Sequence, residues 1–265
     1  MKAISLHSVV PVRTKAAESA EMSTQMLFAE TCDILVRRGN WTKIRLEQDG
    51  QEGWVDTKML SPLSDDEYQS LPLLGETEGV IKMPMAYAVS MNNGQTIPLT
   101  AGTRLPNYKD GQFSLLGVTF RIDPSMVAAE PLALTQDNLL AVVRFFLNIP
   151  YLWGGKNAMG LDCSGFTQTI MRIFGRNLLR NASEQATQGK NVSSLGKAQA
   201  GDLVFFDHAD VDPEKTRITH VGILIDSERV IHCSGRVKVE KIDNKGIYSA
   251  EYGRYTHHLN SIKRI

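Results

Sequence analysis

The chain has little cysteine, no surplus of either charge and no long apolar run. Three cysteines, Cys32, Cys163 and Cys233, in 265 residues are too few, and odd in number, for a disulfide framework. They fit a reducing compartment or a reactive thiol. Lys and Arg together number 29, as do Asp and Glu. That balance leaves no electrostatic footprint for nucleic acid or an anionic membrane, and it favours a small or zwitterionic substrate over a long polyanion. No apolar stretch reaches the roughly 18 residues that cross a bilayer, so no membrane insertion is expected. The opening MKAISLHSVVPVRTK lacks the apolar core and cleavage site of an export signal. With Met1 as the native start the expected location is cytoplasmic. A trimmed signal would instead place the protein in the periplasm or cell envelope.

What is present reads as a soluble globular chain of about two domains or more. Residues 1–62 carry short strand patterns, VVPVR (9–13), CDILVRR (32–38), TKIRLE (42–47) and GWVD (53–56), with turn chemistry at Gly39-Asn40 and Asp49-Gly50. Strands this short and this closely spaced predict a small β-barrel. Residues 63–75 read as a loop. Residues 76–128 repeat the style, with hairpin turns expected at Asn93-Gly94 and Asp110-Gly111, and predict a second small barrel. The pattern changes over residues 133–265. Thr135 can cap a helix through DNLLAVVRFFLN, ended by Pro150, and a second helix should run from Cys163 to Gly175. Strands are then expected at 202–207, 220–226 and 229–234. Helices followed by antiparallel strands predict an α+β domain.

The sharpest local signal is YLWGG (151–155) followed by GLDCSGF (160–166). The glycines allow a tight loop, and Cys163 then opens a helix. Helix N-termini present unpaired N–H groups and partial positive charge, which lower a thiol's pKa and can bind an oxyanion. A buried structural cysteine is the competing reading. His220 opens the apolar strand HVGILID, and His232 lies in the next, RVIHCS. A turn at 226–228 brings the two near one another on one face. A nucleophile, a base and an orienting partner are what a thiol catalyst needs. A zinc site built on the same three side chains is a rival, since their types are ordinary zinc ligands. Cys32 and Cys233 read as packed thiols. Asp207-His208-Ala209-Asp210 reads as a polar loop and not as a metal cluster.

YLWGG, GLDCSGF, GDLVFF (201–206), THVGILI (219–225) and VIHCSGRV (230–237) resemble the NlpC/P60 family of cell-wall cysteine peptidases, in order and spacing. The resemblance implies a papain-like core of helices on an antiparallel sheet. It implies Cys163 as nucleophile, His220 as base, His232 as orienter and Tyr151 lining the site beside the oxyanion. VVPVRTKAAESAEMSTQMLFAE and WTKIRLEQDGQEGWVD resemble a bacterial SH3-like domain. Two such domains ahead of an NlpC/P60 domain resemble the γ-D-glutamyl-L-diamino acid endopeptidases, which cut murein peptides bearing a free N-terminal L-Ala. That likeness implies Asp162, Ser164, Glu21 and Ser183 as substrate contacts, with a carboxylate, Asp162 foremost, pairing the peptide ammonium. Asn181 departs from the aspartate usual in the family's Arg-Asp-Ala/Ser stretch. No cofactor and no metal are implied, the partner is a small murein peptide, and a monomer is expected. A wall-peptide-binding protein, or an amidase or acyltransferase on the same core, remains the alternative.

Overall fold

The structure is a computed structural model that describes residues 1–72, 79–207 and 217–265. The expected polar loop at Asp207-His208-Ala209-Asp210 lies, after Asp207, outside the described residues. The chain divides into two compact units. The first comprises Met1–Leu132 with Trp153–Ala158, and the second Ala133–Leu152 with Met159–Ile265.

The first unit begins with a seven-stranded sheet in the order Met22–Leu27, Val9–Arg13, Glu52–Asp56, Trp41–Leu46, Thr31–Arg38, Lys2–Ile4, Ser61–Leu63. Its pairings are antiparallel. Alternation drives it: Val10, Val12, Ile44, Leu46 and Val55 turn inward around Cys32, a fully buried thiol. Residues 79–128 add two smaller sheets. One orders Thr96–Thr100, Met85–Ser90, Val118–Ile122, Gln112–Leu115, and the other Arg104–Leu105, Gly79–Ile81, Val127–Ala128. The Asp110-Gly111 turn has φ of 49° and 81°, and Lys109 and Gln112 exchange backbone bonds of 2.8 and 2.9 Å across it. Both central residues at positive φ make the tight reversal for which Asp-Gly is suited. One core runs through both stretches of this unit: Ile4, Phe28 and Leu63 cluster with Ile81, Leu99, Phe113 and Phe120. Phe28 meets Phe113 and Phe120 edge-on at 6.2 and 5.9 Å, and those two rings stack at 4.9 Å.

The second unit opens with helix α1 (Gln136–Val143), whose N-cap Thr135 accepts from Asn138 N at 3.3 Å. It stops short of the expected residue 148. Phe145 and Phe146 bond back only three residues, and Asn148 turns to φ 68°. Helix α2 (Cys163–Ile173) is followed by Gly175 at φ 72°, the left-handed residue that ends a helix. The main sheet of the unit, among the described residues, holds β1 (Leu203–Asp207), β2 (His220–Leu224), β3 (Arg229–Ser234), β4 (Arg236–Asp243), β5 (Gly246–Ser249) and β6 (Arg254–Arg264), with the two-residue strand Lys190–Asn191 added at the end of β6. Each pairs with the next, and β6 pairs with both β5 and β1, so the sheet closes into a ring. Strands predominate over helices, and a six-stranded barrel describes this unit better than the expected α+β layering. The closure depends on β6. Its first half pairs with β5 and its second half with β1, with a bulge in the register of each pairing. Bulges bend and twist a strand. Val204, Phe206, Leu224, Val230, Ile242, Ile247 and Ile262 form a core cluster, and α2 lies against β2 and β3.

Candidate active site

The tip of α2 is held by a buried ion pair. Asp162 Oδ1 accepts from Gly165 N at 2.7 Å, the N-cap bond that starts the helix. Both carboxylate oxygens also accept from Arg180, at 3.0 Å from Nη1 and 2.6 Å from Nη2. Arg180 is 1% exposed, and its Nη1 reaches Ser164 Oγ at 2.9 Å. A bidentate guanidinium fixes a carboxylate in angle as well as position. Cys163, the first residue of the helix, therefore stands on a tip of set direction.

The Cys163 thiol is largely buried, and burial, reinforced by the Asp162 charge, pushes it up to about 11. Backbone N–H groups of Val221 and Ser164 pull the other way. The expected depression of this thiol by the helix end is thus outweighed by desolvation. The Val221 bond places the sulfur at the residue after His220.

The histidines sit where register puts them. Gly222 pairs with His232, and Phe206 with His220, so His220 stands one diagonal step from His232 on the same face. His220 Nε2 lies 2.8 Å from His232 Nδ1. His232 Nε2 lies 2.9 Å from Glu240 Oε2, and the Lys238 ammonium is 3.2 Å from that same oxygen. His232 is fully buried, and burial holds its pKa below the usual value. Burial would raise the Glu240 carboxyl, but the His232 bond and other hydrogen bonds outweigh it and bring it to about 2. Glu240 is therefore ionised at neutral pH. A third imidazole, His257 of β6, stacks on His220 with ring centres 4.2 Å apart and planes at 30°.

Residues 148–255 match the NlpC/P60 family, and residues 12–60 match the bacterial dipeptidyl-peptidase Sh3 domain. Residues 148–255 form an NlpC/P60 domain. The γ-D-glutamyl-L-lysine dipeptidyl-peptidase of Bacillus subtilis is 29% identical over 223 residues, spanning 80% of this chain and 72% of that protein. The protein of the same name from Bacillus cereus is 26% identical over 237 residues, spanning 80% and 67%. A solved NlpC/P60 family protein from Bacillus cereus superposes with a TM-score of 0.81 at 21% identity, covering 100% of this chain and 99% of that one. The NlpC/P60 endopeptidase of Photobacterium damselae gives 0.72 at 16% identity, covering 98% and 70%. These two likenesses concern the fold.

Within the NlpC/P60 domain, Tyr151 is half-buried and its N–H donates to Gly235 O at 2.9 Å. Burial, then the charges of Cys163 and Asp162, push its phenol above the usual range, so it stays a donor. Ser183 is half-buried in the short turn Ala182–Gln185, behind the N-cap Asn181, whose Nδ2 donates to Glu184 at 3.1 Å. Asn181 thus caps a turn in place of carrying charge. Cys233 points to the face opposite His232 and donates to Leu161 O at 3.1 Å. Glu21 belongs to the first unit, exposed just ahead of the strand Met22–Leu27, with its carbonyl accepting from Thr14 N. Asp162 is engaged by Arg180 and by the helix end, so its carboxylate is not available undivided to a substrate ammonium. Glu240 and His257 escaped the sequence reading, as did the pairing of Arg180, the head of the Arg-Asp-Ala/Ser stretch, with Asp162. The hairpin pattern Ser234-Gly235-Arg236 was the signal that could have placed position 240 beside 232.

Among the described residues, His220, His232 and His257 offer ligand nitrogens within 4.8 Å of one another. Two nitrogens on one tetrahedral zinc at about 2.0–2.1 Å stand about 3.3 Å apart. The 2.8 Å His220–His232 separation is that of a hydrogen bond, and the other nitrogen of His232 faces Glu240. The arrangement suits proton relay better than metal binding.

Proposed function

We propose that the NlpC/P60 domain is a cysteine endopeptidase that hydrolyses the γ-D-glutamyl bond to a diamino acid in small murein peptides with a free N-terminal L-Ala. The names of the two Bacillus relatives support the bond class. The observation that carries the reading is the thiol at the α2 tip beside a strand whose histidine continues into a His232–Glu240 relay.

In this mechanism the Cys163 S–H proton passes to His220, and the thiolate attacks the γ-glutamyl carbonyl carbon. The oxyanion is met by the Cys163 N–H at the helix tip and by the protonated Tyr151 hydroxyl. The C–N bond breaks, and the His220 proton leaves with the diamino acid amine. Water, deprotonated by His220, then opens the thioester and restores the thiol. No cofactor enters. Asp162, Ser164 and Ser183 carry the substrate contacts within this domain.

Residues 76–128 are read as a second SH3-like barrel, supported by the two small antiparallel sheets of residues 79–128. A reducing, cytoplasmic location is part of the same reading, supported by three buried free thiols. Mass spectrometry of products from L-Ala-γ-D-Glu-L-Lys and its diaminopimelate counterpart, with and without an acetylated N-terminus, tests the proposal. Expected are L-Ala-γ-D-Glu and the free diamino acid, from unblocked peptide only, with no turnover by Cys163→Ala. Turnover by that variant would refute the assignment.

A further inference from the structure

We propose that Glu240 is a positioning residue for the Cys163–His220 pair, acting through His232 to fix which nitrogen of each imidazole carries hydrogen. The proposal rests on the endopeptidase reading above. Its basis is a chain of donors and acceptors with one consistent assignment. An ionised carboxylate can only accept. His232 Nε2, 2.9 Å from Glu240 Oε2, must therefore carry hydrogen. A buried neutral His232 then has a bare Nδ1, which can only accept from His220 Nε2 at 2.8 Å. A neutral His220 that donates from Nε2 holds its lone pair on Nδ1, and that is the nitrogen left to take the thiol proton. Reversing the first link reverses all the others, and His220 would then present an N–H to the sulfur.

The surroundings hold Glu240 in this role. The Lys238 ammonium lies 3.2 Å from the same oxygen, Glu251 lies 3.8 Å beyond that ammonium, and Arg236 lies 3.5 Å from Glu251. The Glu240 side chain is only 8% exposed. His257 is the other titratable ring facing the pair, with its centre 5.5 Å from that of His232. Its ring lies against that of His220, with centres 4.2 Å apart. When the thiol proton moves to Nδ1, His220 becomes an imidazolium, and the Glu240 carboxylate compensates it at one remove, through His232.

Two variants and one wild-type measurement test this. Glu240→Gln keeps an acceptor oxygen, whereas Glu240→Leu removes it. Histidine ¹⁵N shifts of the wild type should show hydrogen on Nε2 of both His220 and His232. Glu240→Leu should lose that preference, and its kcat should fall about 10²-fold or more with KM little changed. Glu240→Gln should restore most of both. Iodoacetamide alkylation of Cys163 at neutral pH should follow the same order without any peptide substrate. Hydrogen on Nδ1 of His232 in the wild type would overturn the proposal even if Glu240→Leu failed to fold, as would wild-type kcat in Glu240→Leu. A wild type that cleaves no murein peptide overturns the endopeptidase reading alone, because shifts and alkylation still judge Glu240.

Discussion

His220 Nε2 meets His232 Nδ1 at 2.8 Å because Gly222, and no larger residue, faces His232 across the β2–β3 pair. A Cβ at 222 would lie 2.6 Å from Val230 Cγ2 and 3.1 Å from His232 Cβ. Valine is short and stiff at χ1, so the strand itself has to yield. Gly222→Ala should fold yet separate the two rings. A misplacement on the ångström scale lowers kcat by about 10²-fold, and steady-state kinetics with a circular-dichroism check would read it. Unchanged kcat in a folded variant would mean that the ring contact tolerates that separation.

The thiol makes a prediction in pH. Its pKa is raised by burial and by Asp162 to about 11, so alone it is neutral below that value and ionises only as pH climbs towards it. Reactivity near neutrality must then come from proton transfer to His220. Wild-type Cys163 should alkylate at neutral pH. His220→Ala should lose that reactivity and regain it only at strongly alkaline pH. Identical profiles for the two proteins would show that the helix end alone supplies the thiolate.

Much of the arrangement around Cys163 is legible in the sequence. Cys163 at a helix start and His220 with His232 on one hairpin are local patterns, set by chain punctuation and by strand alternation. The histidine register came within a diagonal step, Gly222 standing opposite His232 where His220 was expected. The strands beyond residue 234 were not legible as strands, although VIHCSGRV (230–237) carried part of the resemblance. β4 alternates only through Val237 and Val239 before Glu240 takes an inner position, and β6 is polar along most of its length, so the apolar pattern gives little sign of these strands. Their pairing also closes a ring, which depends on partners distant in sequence. His257 reaches His220 only because β6 bends between β5 and β1. The place of Arg180 was hidden differently: a buried arginine is rare, and its carboxylate partner lies 18 residues away. In the first unit, Phe28 joins Phe113 and Phe120 in one core, a long-range contact that strand-by-strand reading cannot supply.

The Asp162–Arg180 pair should be costly to break and cheap to replace. Arg180→Ala leaves a buried carboxylate without its counter-charge, which costs about 3–5 kcal/mol. Asp162→Asn keeps a side chain able to cap α2 and removes that charge. Chemical denaturation should therefore show Arg180→Ala well below the wild type and Arg180→Met/Asp162→Asn recovering much of the loss. A double variant no more stable than Arg180→Ala would locate the cost in the arginine's packing.

His257 covers one face of the base. With ring centres 4.2 Å apart, it limits the motion of His220 and keeps water from that face, and neither effect needs its nitrogens. Aromatic pairs contribute about 0.5–1.5 kcal/mol beyond the area they bury, so a loss of this contact that falls on the transition state lowers kcat by about two- to tenfold. His257→Ala should show that loss with KM little altered, and His257→Phe should recover it by restoring a flat ring. Because Thr256 Oγ1 lies 2.9 Å from His257 Nδ1, phenylalanine also loses a hydrogen bond, and a modest drop in melting temperature is expected alongside recovered turnover. If His257→Phe is as slow as His257→Ala, the imidazole acts through its nitrogens and not through its face.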